Sequence, residues 1–271
     1  MALPLRNSRI RLSHGQIFWR EVGTGPVLVF LHGSWSDSSE WIPVLGHLSE
    51  DYHGFALDLL GCGDSERPKI HYSIDLEVEC LAEFIETLLP NQQIYLIGHS
   101  LGGWVAASYA LKYPDRIRGL VLLAPEGLSL QAAKKFGGWG QGVLGHPAVV
   151  FVLLRSLKKL AKLLRQEAKI KPLLFRWQQI LQHSTTCKLL FQRRRAEIKA
   201  ELLQDKLELL KMPVLILQGK RDTLEAIAQS QAFADLISHS EHHLIDKGGS
   251  DLPQELPDEI AGFIGDFVSQ S

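Results

Sequence analysis

The chain has 271 residues, of which 45% are apolar and 22% charged, with a net charge of −1; this suits one large globular domain with a substantial core. The longest apolar run, Pro147 to Leu154, is too short to cross a bilayer. The N-terminal MALPLRNSRIRL lacks the apolar stretch and cleavage site of a signal peptide, and a near-neutral charge with no RNA- or DNA-binding motif argues against a nucleic-acid partner.

In chain order, Ile17 to Val22 and Val27 to Leu31 read as strands separated by the turn Gly23-Thr24-Gly25-Pro26, and Gly54 to Leu59 as a third. Ile74 to Leu89 has helical spacing and stops before Pro90. Ile94 to Ile97 is a buried strand, Leu101 to Tyr113 a helix ended by Pro114, and Leu120 to Leu123 another strand. From about Glu126 to Leu210 only helical periodicity remains. Alternation resumes after Met212-Pro213 with strand Val214 to Leu217, helix Glu225 to Leu236, strand His243 to Ile245 and helix Asp258 to Val268. Such alternation implies an α/β fold with a mostly parallel sheet flanked by helices. Residues 1–125 and 211–271 then form one α/β domain, interrupted by a helical insertion over 126–210. Cys62, Cys80 and Cys187 are odd in number and far apart, which offers no metal spacing and points to a reducing, cytoplasmic setting.

Gly98-His99-Ser100-Leu101-Gly102-Gly103 follows a strand and opens a helix, the context in which a G-x-S-x-G pattern presents a nucleophile. Gly98 and Gly102 let strand and helix approach closely, Ser100 occupies the sharp turn, and the N–H of Leu101 at the helix start faces any oxyanion that develops. His99 is adjacent in sequence, so its side chain diverges from that of Ser100; it reads as a packing residue or a substrate contact rather than a base.

On these residues the chain resembles the α/β-hydrolase superfamily over nearly its whole length, which implies a sheet of about eight strands. His32-Gly33-Ser34-Trp35 resembles the family's HG-x loop, so the resemblance makes the N–H of Ser34 the second oxyanion donor and Trp35 a substrate contact. Asp58-Leu59-Leu60-Gly61-Cys62-Gly63-Asp64-Ser65 resembles the turn that braces that loop. Gly219-Lys220-Arg221-Asp222 resembles the segment carrying the triad acid, with Asp222 supporting an imidazolium; Glu126, just after another strand, is the alternative acid or a substrate contact. The last motif departs from the pattern: Gly248-Gly249-Ser250-Asp251-Leu252-Pro253 matches around the expected histidine, and the histidine itself is Ser250. A serine hydroxyl does not titrate near neutral pH and cannot serve as the base. Ser250 is then a disabling substitution in a working hydrolase, a natural loss that leaves a binding protein, or a sign that another base reaches Ser100. His146, His242, His243 and Asp251 are candidates for that base, though none has the right position by motif.

In this superfamily the insertion resembles a cap over the active site. Residues 131–199 hold 15 Lys and Arg against only Glu167 and Glu197. Within Val149 to Arg165, Val150, Leu153, Leu154, Leu157, Leu160, Ala161 and Leu164 share an arc of roughly 120° at helical spacing, with Arg155, Lys158, Lys159, Lys162 and Arg165 opposite. This amphipathic pattern suits either a cap helix with solvated charges or peripheral contact with an anionic membrane surface. Both favour a small hydrophobic ester or lipid-like substrate with acyl- or prenyl-type groups. The implied activity is a serine hydrolase of carboxylic esters needing no metal and no cofactor. The alternatives are a non-catalytic binding or regulatory protein for a hydrophobic ligand, and haloperoxidase-like or acyltransferase chemistry on the same triad.

Overall fold

The computed structural model describes residues 4–128, 149–150, 152–153, 155–156 and 184–270. Eight strands, β1 (Arg6–Leu12), β2 (Gly15–Val22), β3 (Val27–Leu31), β4 (His53–Leu57), β5 (Ile94–His99), β6 (Ile117–Leu123), β7 (Val214–Gly219) and β8 (Ser240–Ile245), form one sheet among the described residues. Its order is β1-β2-β4-β3-β5-β6-β7-β8. The β1/β2 and β2/β4 pairs are antiparallel. The five pairs from β4 through β3, β5, β6 and β7 to β8 are parallel, so the fold is α/β, as the alternation of patterns implies.

The central strands Val-Leu-Val-Phe-Leu of β3 and Val-Leu-Ile-Leu-Gln-Gly of β7 are buried at every position. Continuous apolar runs of this kind mark strands covered on both faces. Side chains alternate between faces along a strand. Leu28 and Phe30, Tyr95 and Ile97, Val121 and Leu123, and Leu215 and Leu217 share one core cluster. Helix α1 (Ile42–Leu48) adds Val44, Leu45 and Leu48 to that cluster, and the C-terminal helix Pro257–Gln270 adds Ile260, Ile264 and Phe267. Helices α2 (Ile74–Leu88) and α3 (Leu101–Lys112) pack on each other, and α3 packs on β3, β5 and β6. Each fully buried Leu or Phe in these layers contributes about 1.5–3 kcal/mol.

Two elements are more extensive than their sequence pattern suggests. Strand β1 pairs along its whole length with β2, joining Arg6 to Glu21 and Leu12 to Gly15. Its arginine-rich outer face obscures an alternation that ends on buried Leu12. Strand β8 begins at Ser240 because an edge strand buries little and tolerates the polar Ser-Glu-His-His run.

The chain divides into two compact units, Met1–Ser129 with Glu201–Ser271, and Leu130–Ala200. The described residues of 126–210 contain helices α4 (Ser184–Phe191) and α5 (Arg195–Glu201) and no strand. Most of the amphipathic segment 149–165 lies outside the described residues; those described within it are helical, with Val149, Val152 and Leu153 exposed. The helices that complete the α/β unit are α6 (Leu224–Leu236), α7 (Leu252–Glu255) and α8 (Pro257–Gln270). No helix among the described residues is long and apolar enough to cross a membrane.

Candidate active site

Strand β5 ends at His99 and α3 begins at Leu101, which leaves Ser100 alone to reverse the chain direction. It does so at φ 52° and ψ −113°. For a residue with a side chain such a conformation costs on the order of 1–3 kcal/mol and persists only where neighbours over-determine it. Here four hydrogen bonds do so. The Ser100 N–H donates to Leu123 O at 2.8 Å, and its carbonyl accepts from the N–H groups of Gly103, Trp104 and Glu126 at 3.0, 3.2 and 3.1 Å. The glycines are needed for approach: a Cβ on Gly98 would stand 2.4 Å from Gly102 O, and one on Gly102 would stand 2.3 Å from Leu31 O. Leu101 is the first residue of α3, so its N–H belongs to the turn that has no intrahelical acceptor.

The loop after β3 is held beside this turn. Buried His32 donates from Nδ1 to Gly33 O at 2.8 Å, because its Nε2 must accept the Leu59 N–H at 3.1 Å. The Asp58 carboxylate accepts the N–H groups of Ser38 and Asp64 at 2.7 and 2.6 Å. Ser65 Oγ donates to Asp58 O and accepts the Phe18 N–H. The glycine-rich turn from Asp58 to Ser65 therefore braces the loop, as its resemblance implies. Ser34 is buried and Trp35 is 46% exposed.

The third corner lies where β7 and β8 end. The Arg221 N–H donates to Gly248 O and the Lys220 N–H to Ile245 O, both at 2.9 Å, which brings the Asp222 and Ser250 segments side by side. The Asp222 carboxylate accepts from Gln218 Nε2 at 3.2 Å and from the Thr223 N–H at 2.6 Å. Ser250 is exposed, and among the described residues its hydroxyl has no hydrogen-bond partner.

Two residues behave differently from their sequence reading. His99 is 6% exposed, with Nδ1 3.2 Å from Glu40 Oε1 and Nε2 2.9 Å from the carbonyl of Ser250. Both ring nitrogens are engaged, so neither is left to contact a substrate. Burial opposes the charge on this imidazole, yet the Glu40 carboxylate, the Ser250 carbonyl and Asp251 outweigh it and raise the pKa. Ligand atoms of Glu40, His99 and Asp251 lie within 4.8 Å of one another, and both His99 ring nitrogens are already taken up by Glu40 and the Ser250 carbonyl. His99 thus links the Ser100 turn, through Glu40 and the Ser250 carbonyl, to position 250.

The second is Glu126. It follows Ala124 and Pro125 at the end of β6, and the two positive φ values at Ala124 (42°) and Gly127 (115°) fold the segment back over Ser100. Glu126 Oε1 accepts from Ser100 Oγ at 3.0 Å and from Ser34 Oγ at 3.4 Å. Burial raises its pKa, partly offset by the two hydroxyls and the charge on His99. A sequence pattern that pairs it with an absent histidine misses this contact with the Ser100 hydroxyl. Of the other candidate bases, His242 Nε2 is 3.0 Å from Ser230 Oγ, the His243 ring packs at a tilt against Phe263, and Asp251 sits beside Glu40 and His99; His146 lies outside the described residues.

A parallel sheet with a strained serine between strand and helix, beside a braced glycine loop, defines the class of α/β proteins built around a nucleophile elbow. A sequence model of the family described as alpha/beta hydrolase fold matches residues 26–252, and the chain belongs to that family. It is 27% identical over 260 residues to monoacylglycerol lipase ABHD6 of Bos taurus, covering 91% of this chain and 76% of that one. Among solved structures it is similar to a membrane phospholipase A described as a bacterial virulence factor, with a TM-score of 0.75 and 22% identity over 98% of this chain and 86% of the other. It is equally similar to a thermophilic esterase from Thermogutta terrifontis, with a TM-score of 0.75 and 21% identity over 98% of each chain.

Proposed function

We propose that the chain is a serine hydrolase of carboxylic esters bearing hydrophobic acyl- or prenyl-type groups. Ser100 attacks the ester carbonyl, and the N–H groups of Ser34 and Leu101 hold the oxyanion. The observation that carries this reading is the strained Ser100 backbone at φ 52°, held by four hydrogen bonds. Strain of this kind is retained where it serves function. The lipase similarity supports a lipid-like substrate. In this reading residues 126–210 form the cap, and Asp222 is the acid of a triad whose histidine position holds Ser250.

The test is turnover of medium- and long-chain nitrophenyl esters, with mass spectrometry for acyl-Ser100. Ser100→Ala is expected to lower kcat/KM at least about a thousandfold, to the background rate; equal rates for parent and variant sink the reading. The exposed serine at position 250 favours a second reading, a binding protein for the same hydrophobic ligands. Retained ligand affinity with no Ser100-dependent turnover would select it. We also propose that the cationic face of 149–165 contacts anionic membranes peripherally. Pelleting with phosphatidylserine vesicles at low salt but not high salt is expected, and a chain that stays in solution at both refutes it.

A further inference from the structure

From the 3.0 Å contact between Ser100 Oγ and Glu126 Oε1, we propose that Glu126 is the general base for Ser100, taking the place of the absent histidine. This rests on the hydrolase reading above and names a catalytic residue within it.

The geometry meets the first requirement of a base, hydrogen-bond reach of the proton it removes. No rearrangement is needed, because Glu126 is fixed to the elbow it serves: its own N–H donates to Ser100 O at 3.1 Å. The carboxylate is partly buried, and burial raises its affinity for a proton. That makes it a stronger base than a solvated carboxylate. Asp222 has no comparable contact; its carboxylate is held by Gln218 and Thr223.

The proton and charge balance closes. Ser100 Oγ forms a bond to the carbonyl carbon while its proton passes to Glu126 Oε1. The carbonyl π pair moves to oxygen, and the oxyanion faces the Ser34 and Leu101 N–H groups. The bond to the leaving alkoxide then breaks, and the protonated Glu126 returns the proton to it. Water repeats the sequence on the acyl-Ser100 ester, giving the free acid and regenerating the serine hydroxyl and the carboxylate. In each half the negative charge moves from Glu126 to the substrate oxygen and back. The carboxylate is neutral when the oxyanion exists, so their closeness through Ser34 does not set two negative charges against each other. His99, held by Glu40 and the Ser250 carbonyl, takes no part in the transfer.

The test is the rate of Ser100 acylation by 4-nitrophenyl butanoate, followed by release of nitrophenolate and by the acyl mass on Ser100. Glu126→Gln keeps the shape and can accept the Ser100 hydrogen bond, but cannot hold the transferred proton. A fall of about a hundredfold or more is expected, since general-base catalysis is typically worth 10²–10⁴. A rate equal to or above that of the parent, with Ser100→Ala inactive, overturns the base assignment and leaves the hydrolase reading standing. A parent no faster than Ser100→Ala overturns both. Glu126→Gly adds a signature that a structural role would not give: added formate should restore part of the acylation rate, and not in Ser100→Ala. No recovery with formate in a folded variant counts against the assignment, and this arm decides the matter if Glu126→Gln does not fold.

Discussion

The corner around Ser100 and the corner around Asp222 and Ser250 are built to different standards. At the first, strained backbone, two glycine approaches, the braced loop and Glu126 converge through contacts that fix Ser100 from several sides. At the second, the backbone is equally well set, with Gly219 against Gly248 and Gly249. Its side chains, however, end in an exposed serine and a carboxylate bonded to its own neighbours. In the proposed reading, the frame of this corner persists without a titrating group at position 250, because it is held by main-chain bonds that do not depend on one side chain. Chemistry then depends on what the better-kept corner supplies.

The contrast breaks most directly at position 250. Ser250→His restores an imidazole beside the Asp222 segment, and kcat/KM for nitrophenyl esters is expected to rise at least about tenfold over the parent. Ser250→His with Asp222→Asn should lose that gain, since the acid holds the imidazole in its productive form. An unchanged rate in the single variant would mean that the second corner no longer aligns with Ser100.

A smaller effect, on stability rather than rate, concerns the link between the corners. His99→Phe removes the imidazole that faces Glu40, leaving that buried carboxyl with the Gly33 N–H alone, and is expected to cost about 3–5 kcal/mol in chemical denaturation. Adding Glu40→Leu should recover much of this, whereas recovery that fails would show that the pair acts through more than charge. The pH dependence has a definite sign. The folded pKa of His99 is raised, so its stabilisation is complete below the ordinary histidine value near about 6.5. It is lost as pH rises through the higher folded value, because the native state there holds a proton that the unfolded state has released. The slope of stability against pH above the ordinary histidine value should flatten in His99→Phe with Glu40→Leu; an unaltered slope would count against a raised His99 pKa.

Much of the fold was legible because burial on both faces writes itself into sequence: β3, β5, β6 and β7 are apolar runs, and the parallel sheet follows from their alternation with helices. Strand β1 was not, because its exposed arginines are read as polar sequence while its pairing is a matter of backbone alone. In the site, the elbow was readable from Gly98 to Gly103 because the close approach admits only small residues there. The role of His99 was not, because a charge network has no sequence spacing.

The amino-acid order by itself determined the nucleophile elbow, the brace from Asp58 to Ser65, and the absence of a histidine at position 250, since each rests on residue type at fixed local spacing. Only the tertiary structure decided that Glu126, 26 residues beyond Ser100, touches its hydroxyl. It also decided that His99 grips the carbonyl of a residue 151 positions away. These contacts arise where separate strands end at one edge of the sheet, and no local pattern specifies which side chains meet there.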